Sequence, residues 1–128
     1  MSVILLVEPD VMLAQTYCKA LQSAGHETHH ATTAQAAIDA ADEHTPDIII
    51  LELQLSAHNG VEFLYELRSY AEWQLTPVII QSYTAPAALA AVAGTLTANL
   101  GVVAVLYKPR TSLQKLLSTV QEHAKGAA

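Results

Sequence analysis

Glu8, Glu52 and Lys108 each follow directly on a short run of apolar residues that has the length of a buried strand. The carboxyl ends of parallel strands meet at one edge of an open sheet, where such sheets build their sites. We therefore expect all three residues to lie at this edge of the sheet. Carboxylates can act as nucleophiles or metal ligands, and a lysine can neutralise an anionic group. The identity of the charged groups decides whether this edge carries out chemistry.

Strand-like and helix-like segments alternate around these residues. The predicted strands are Val3–Val7, His26–Ala31, Ile48–Leu51, Pro77–Gln81 and Val102–Tyr107. The predicted helices run from Asp10 to Ala24, Thr32 or Thr33 to about His44, Gly60 to about Glu72, Thr84 to Gly101, and onward from Thr111 or Ser112. This (βα)5 order with short, right-handed crossovers predicts an α/β fold with helices on both faces of one parallel sheet.

The composition indicates one globular domain. The 128 residues predict a single domain, 1–128, with a core of about 3–122 and a tail that frays from Ala124. A net charge of −6 argues against nucleic acid or an anionic membrane as a partner. The lone Cys18, the lack of a visible signal peptide and the shortness of the apolar runs predict a cytoplasmic protein.

Several short motifs together resemble the receiver domain of two-component response regulators. No single motif is specific, but their order and spacing together are. The resemblance extends from Ile4 to about Val120. The motifs are Leu6-Val7-Glu8, Pro46-Asp47, Gly60, Pro77, Ser82, Gly101 and Lys108-Pro109. The resemblance implies a flavodoxin-like fold with strand order 2-1-3-4-5 and a signalling module rather than an enzyme.

The resemblance also implies a mechanism. In this family an aspartate after the third strand accepts a phosphoryl group from a histidine kinase, and two acids after the first strand hold Mg²⁺. A Ser/Thr and a Lys, at the ends of the fourth and fifth strands, bind the phosphoryl oxygens. An aromatic side chain on the fifth strand rotates inward in response. The residues that match here are Ser82, Lys108 with Pro109, and one metal-type acid, Glu8.

Five positions depart from that pattern. The departures are Glu52 at the phosphoacceptor position, Pro9 in place of the second acid, Tyr83 after Ser82, Val105 at the switch aromatic, and Ser56 in place of a loop proline. Pro9 removes a carboxylate ligand, and the extra methylene of Glu52 moves its oxygens by about 1.5 Å. That displacement is large against the sub-ångström tolerance of a working site.

These departures predict a receiver that carries no phosphate, needs no cofactor and acts by binding protein. One alternative is a weak phosphoacceptor controlled by a histidine kinase, with weak Mg²⁺ binding through Glu8, Glu52 and Asp10, although Asp10 is better explained as a helix cap. A remote alternative, a small flavodoxin-like enzyme or nucleotide binder, would need a glycine-rich loop after the first strand, where this chain has none.

The longer side chain of Glu52 should reach Lys108 directly, either as a partial mimic of a phosphoryl group or as part of a silent site. Another possible site is formed by His26, His29 and His30, in which His26 and His30 share one strand face. A solvated edge strand explains these histidines better than a metal cluster does.

The surface formed by the fourth helix, fifth strand and fifth helix is the predicted contact with a protein partner or a second copy. The segment from Ser82 to Gly101 is about four residues longer than is usual in the family, which predicts an extra turn of the fourth helix or a longer loop before it. Because Val105 replaces the switch aromatic, this surface should stay in one state, with Tyr83 or Tyr107 as substitute reporters.

Overall fold

A parallel sheet of five strands forms the centre of the computed structural model, which describes residues 2–55 and 59–124. The strands are β1 (Val3–Val7), β2 (Glu27–Ala31), β3 (Ile48–Leu51), β4 (Val78–Ser82) and β5 (Val102–Tyr107). They lie in the order β2-β1-β3-β4-β5, and every neighbouring pair is parallel. The predicted flavodoxin-like topology, 2-1-3-4-5, is confirmed.

Helices cover both faces of this sheet. They are α1 (Val11–Ser23), α2 (Ala34–His44), α3 (Gly60–Arg68), α4 (Pro86–Leu89), α5 (Ala93–Ala98) and α6 (Leu113–Ala124), with short 3-10 turns at Ala71–Trp73 and Lys108–Arg110. None of the helices in the described ranges is long and apolar enough to cross a membrane. Ala124 ends α6, and the rest of the tail that we expect to fray lies outside the described residues.

The central strands are buried on both faces, which explains why their sequences are continuous apolar runs. Alternate residues enter two separate cores: Leu5 and Val7 face α2 and α3, whereas Ile4 and Leu6 face α1 and α6. All four residues of β3, Ile48–Leu51, have no exposed surface. The sheet is therefore a rigid base for the residues that follow its strands.

Local caps fix the loops at the carboxyl edge of the sheet. The Asp10 carboxylate accepts the Leu13 N–H at 3.1 Å and starts α1, as predicted. Asn59 and Glu62 form a reciprocal capping box at the start of α3. Gly60 allows the helix to approach the loop after β3, because a Cβ there would lie 2.8 Å from the Cα of Leu53.

The prediction of one continuous helix from Thr84 to Gly101 is wrong. Two short helices, α4 and α5, occupy this segment and are separated by residues 90–92, and Ala85 rather than Thr84 precedes the first. Val92, Thr95, Thr97 and Gly94 lower the helix propensity of the second half. The residues added relative to the family's usual spacing therefore lie in an interrupted helix. The third helix is also shorter than predicted and ends at Arg68, before a 3-10 turn that buries Trp73.

Candidate functional site

The three charged residues singled out by the sequence meet at the carboxyl edge of the sheet. Glu8 follows β1, Glu52 follows β3 and Lys108 follows β5, with exposed fractions of 2%, 2% and 8%. Strand order explains the meeting, since β1 and β3 are neighbours and Lys108 reaches across β4. We call Glu8, Glu52 and Lys108 the lysine cluster.

The Lys108 ammonium lies between the two carboxylates. Its Nζ is 2.6 Å from Oε2 of Glu52 and 2.5 Å from Oε1 of Glu8. The first contact confirms the predicted direct pairing with Glu52, whereas the second was not predicted. The strand register contains the signal for it: Val7 pairs with Leu51, so the next residues, Glu8 and Glu52, lie side by side.

Glu52 accepts hydrogen bonds from three further donors. Its Oε1 accepts from the Ser82 hydroxyl and, at 2.8 Å, from the Gln54 N–H, and its Oε2 accepts the Tyr83 N–H at 3.2 Å. Ser82 and Tyr83 lie at the end of β4, and Gln54 lies in the loop after β3. Both oxygens of this buried carboxylate are therefore fully occupied by donors from the protein itself.

Glu8 is the only one of the three predicted acidic-pocket residues, Glu8, Pro9 and Asp10, that bonds to Lys108. Its second oxygen accepts the Asp10 N–H at 3.1 Å. Asp10 uses its own carboxylate to cap α1, as expected, and Pro9 has no carboxylate to offer.

Opposing influences act on the lysine. Burial lowers the pKa of Lys108, but the hydrogen bonds that its ammonium donates to Glu52 and Glu8, together with the negative charges of these acids, outweigh that effect. The net result is a pKa above its ordinary value of 10.5. Lys108 is therefore a cation at neutral pH, and the cluster contains a buried ion pair that is shared by two acids.

The remaining predicted residues lie around the cluster rather than within it. The ring of Tyr83 covers Lys108 with its centroid 4.6 Å from Nζ, while 53% of Tyr83 remains exposed. Val105 is 46% exposed and lines a groove against α4 and α5. Pro109 is exposed in the turn after Lys108. Ser56 lies outside the described residues.

This fold and this edge of the sheet can be compared with those of known families. The profile of the response regulator receiver domain family matches residues 4–121. The chain therefore belongs to the response regulator receiver domain family, the class that two-component signalling uses.

Curated relatives and solved structures agree with this assignment. The chain is 34% identical over 82 residues to KdpE, the KDP operon transcriptional regulatory protein of Escherichia coli, a match that covers 64% of this chain and 35% of KdpE. It is 29% identical over 76 residues to the polar-differentiation response regulator DivK of Brucella ovis, covering 59% of this chain and 62% of DivK. The matched region thus spans about a third of KdpE.

Among solved structures, the Vibrio cholerae chemotaxis protein CheY4 is 26% identical with a TM-score of 0.83, and the match covers 96% of this chain and 98% of that one. A sensor protein from Polaromonas sp. JS666 has a TM-score of 0.85 at 19% identity, covering 98% of both chains, which supports the fold alone.

The Mg²⁺ ion that the family implies does not fit the residues present here. Mg²⁺ requires near-octahedral oxygen ligands at about 2.0–2.1 Å. The oxygens of Glu8 and Glu52 that face each other are bonded to the Lys108 ammonium, and Pro9 has removed the second acid. A divalent cation would have to displace Lys108 and would then lie beside an ammonium that has lost its partners.

Proposed function

We propose that this receiver domain works without phosphorylation and signals by binding a protein partner. The observation that carries this proposal is the lysine cluster. In the family, the equivalent lysine and serine bind phosphoryl oxygens. Here Lys108 and Ser82 are both already bonded to Glu52.

The reactivity expected of Glu52 supports the same proposal. Phosphoryl transfer needs a nucleophile aligned with the phosphorus and cations that neutralise the equatorial oxygens. Both oxygens of Glu52 accept hydrogen bonds, and Tyr83 covers the lysine beside them. A donor would have to break these bonds without help from a bound Mg²⁺.

Glu52 fixes the site in one arrangement and partly mimics a phosphoryl group. Its carboxylate attracts Ser82 and Lys108, as a phosphorylated aspartate would. The mimicry is partial because a carboxylate carries one negative charge and a phosphoryl group carries nearly two.

Intact-mass measurement after incubation with acetyl phosphate and Mg²⁺ tests the proposal. The matched control is the double variant Glu52→Asp with Pro9→Asp, which restores both the acceptor and the acid pair. We expect a hydroxylamine-labile phosphoryl group on the double variant and none on the parent. A labile phosphoryl group on the parent would instead support the alternative, that Glu52 is a weak acceptor controlled by a histidine kinase.

The partner is proposed to bind the output face, which we define as α4, α5, β5 and α6. No Asp, Glu, Lys, Arg or His occurs from residue 73 to 107, although the chain as a whole carries a net charge of −6. Within this segment α4, α5 and β5 form a groove of about 200 Å³, lined by Pro86, Leu89, Ala93, Leu96, Thr97 and Val105. A charged group buried there would lose its hydration with no compensating partner.

The groove is therefore suited to a protein that presents an apolar side chain from an uncharged surface. Ala87 and Ala98 are exposed on α4 and α5, so Ala87→Arg and Ala98→Arg should weaken binding and leave folding intact. Gln15→Arg on the exposed side of α1 is the matched control. Sedimentation equilibrium of the parent and these three variants tests whether the partner is a second copy of this chain. Binding that responds to acetyl phosphate or Mg²⁺ would contradict the proposal of a fixed surface.

We also propose that residues 1–128 act as a single cytoplasmic domain with a core of about 3–122. The family match over residues 4–121 and the two continuous cores on the sheet support this organisation.

A further inference from the structure

Two histidines and a glutamate come together at the edge strand β2, at the end of the sheet opposite to the lysine cluster. Glu27 and His29 are two residues apart on β2 and share the face that α2 covers. His44 is the last residue of α2. One ligand atom from each of the three side chains lies within 4.8 Å of the other two.

The contacts within this group are close. Nε2 of His29 is 2.7 Å from Oε2 of Glu27, and the rings of His29 and His44 are stacked with centroids 3.4 Å apart and planes 10° from parallel. The side chains of His29 and His44 are 25% and 31% exposed, and that of Glu27 is 50% exposed. An ion can reach this group from solvent, yet the two imidazoles are partly shielded by the protein.

The other histidines of this strand region have different roles. Nδ1 of His26 accepts the Ser2 N–H at 3.3 Å, and Nε2 of His30 bonds to the Glu8 carbonyl oxygen at 2.7 Å. The sequence cluster of His26, His29 and His30 is thus divided between separate contacts, and His29 instead joins a histidine from α2.

We propose that Glu27, His29 and His44 bind a divalent transition-metal ion of the zinc type. Imidazole nitrogens and a carboxylate oxygen are common zinc ligands, and three protein ligands with one water complete a tetrahedral site. The hard ion Mg²⁺ prefers oxygen ligands and is not expected here. The ion would connect the edge strand to the end of α2, and the inference does not depend on phosphorylation.

The electrostatic surroundings favour a cation at this position. The carboxyl end of a helix carries a partial negative charge, and His44 lies at that end of α2. The Glu43 carboxylate lies 3.7 Å from Nε2 of His44. The stacked rings must rotate to direct both nitrogens at one ion, and this torsion is broad for histidine.

Isothermal titration of the untagged, chelator-treated protein with Zn²⁺ tests this site. We expect saturable binding of one ion per chain. Binding should weaken by at least about tenfold in His29→Gln and in His44→Gln, since even the loss of a supporting group costs that much affinity. The matched control, His123→Gln on α6, should bind like the parent.

Glu27→Gln alters a half-exposed side chain and provides a variant that is expected to fold even if the histidine variants do not. It should also weaken Zn²⁺ binding, and Co²⁺ bound to the parent should give a tetrahedral absorption spectrum that this variant loses. Absence of saturable binding to the parent, or equal affinities in the parent and Glu27→Gln, would overturn the proposal.

Discussion

The lysine cluster and the output face are built from opposite kinds of residue. The cluster is charged and buried, and each of its carboxylate oxygens accepts at least one hydrogen bond. The output face includes a segment without charged residues and an interrupted helix. It also has exposed apolar residues such as Val103 and Val105, whose exposed fractions are 41% and 46%. The cluster pairs buried charges with hydrogen-bond partners, whereas the output face contains an open apolar groove.

This difference is what the proposed function requires, in which the cluster holds one arrangement and the groove binds the partner. Removing one member of a buried ion pair leaves an uncompensated charge, so the cluster strongly favours a single arrangement. An apolar groove imposes no such penalty and can accept a partner's side chain. Ser82 and Thr84 connect the two regions, because the Ser82 hydroxyl bonds to Glu52 and is also 3.1 Å from Oγ1 of Thr84, just before α4.

The largest expected effect comes from Lys108→Met, which breaks the cluster and leaves the output face unchanged. Two buried carboxylates would lose their cation, and the free energy of unfolding should fall by about 3–5 kcal/mol. Urea denaturation measures this loss. Lys115→Met removes an exposed lysine from α6 and should change stability by less than about 0.5 kcal/mol.

The same variant gives a pH test with a defined sign. The pKa of Lys108 is raised on folding, so its contribution is fully present below the ordinary value of 10.5 and is lost as pH rises through the higher folded value. The parent should lose stability in that alkaline range, and Lys108→Met should lose less. If the parent and Lys108→Met lose equal stability in this range, groups other than Lys108 determine the alkaline loss of stability.

Glu52→Gln should have the second largest effect, because Glu52 accepts four hydrogen bonds and Glu8 accepts two. Bonds to charged groups contribute about 1.5–3 kcal/mol, so we expect a loss in that range for Glu52→Gln and a smaller loss for Glu8→Gln. Urea denaturation at pH 7 compares the two variants. A larger loss of unfolding free energy in Glu8→Gln than in Glu52→Gln would show that Glu8, rather than Glu52, contributes most to the stability of the cluster.

The parts of this structure that the sequence predicts correctly depend on strong local signals. The apolar run Ile48–Leu51 predicts β3, and the position of Glu52 and Lys108 at strand ends predicts their contact. The features that were missed depend on tertiary context. The break between α4 and α5 depends on how a weak helix propensity competes with the packing of this segment on the sheet. The contact between His29 and His44 depends on where α2 ends above the sheet.

Val105→Tyr tests the output face without touching the cluster. A tyrosine at this position should fill the groove and exclude the partner's side chain. We expect partner binding to weaken by about tenfold, or 1.4 kcal/mol, with little change in urea stability. Val103→Tyr adds the same ring two residues away on β5, outside the groove lining, and should bind normally. Equal weakening by both variants would show that the contact is not specific to the groove.

The smallest expected effect concerns Tyr83, which lies where the two regions meet. Its ring faces the Lys108 ammonium at 4.6 Å, and a cation–π contact of this kind contributes about 0.5–1 kcal/mol. Tyr83→Leu keeps an apolar side chain but removes the ring, so it should lower the free energy of unfolding by that amount. Tyr83→Phe keeps the ring face and should match the parent. If Tyr83→Phe loses as much as Tyr83→Leu, the hydroxyl rather than the ring stabilises this position, and the lysine cluster then gains nothing from the side chain that covers it.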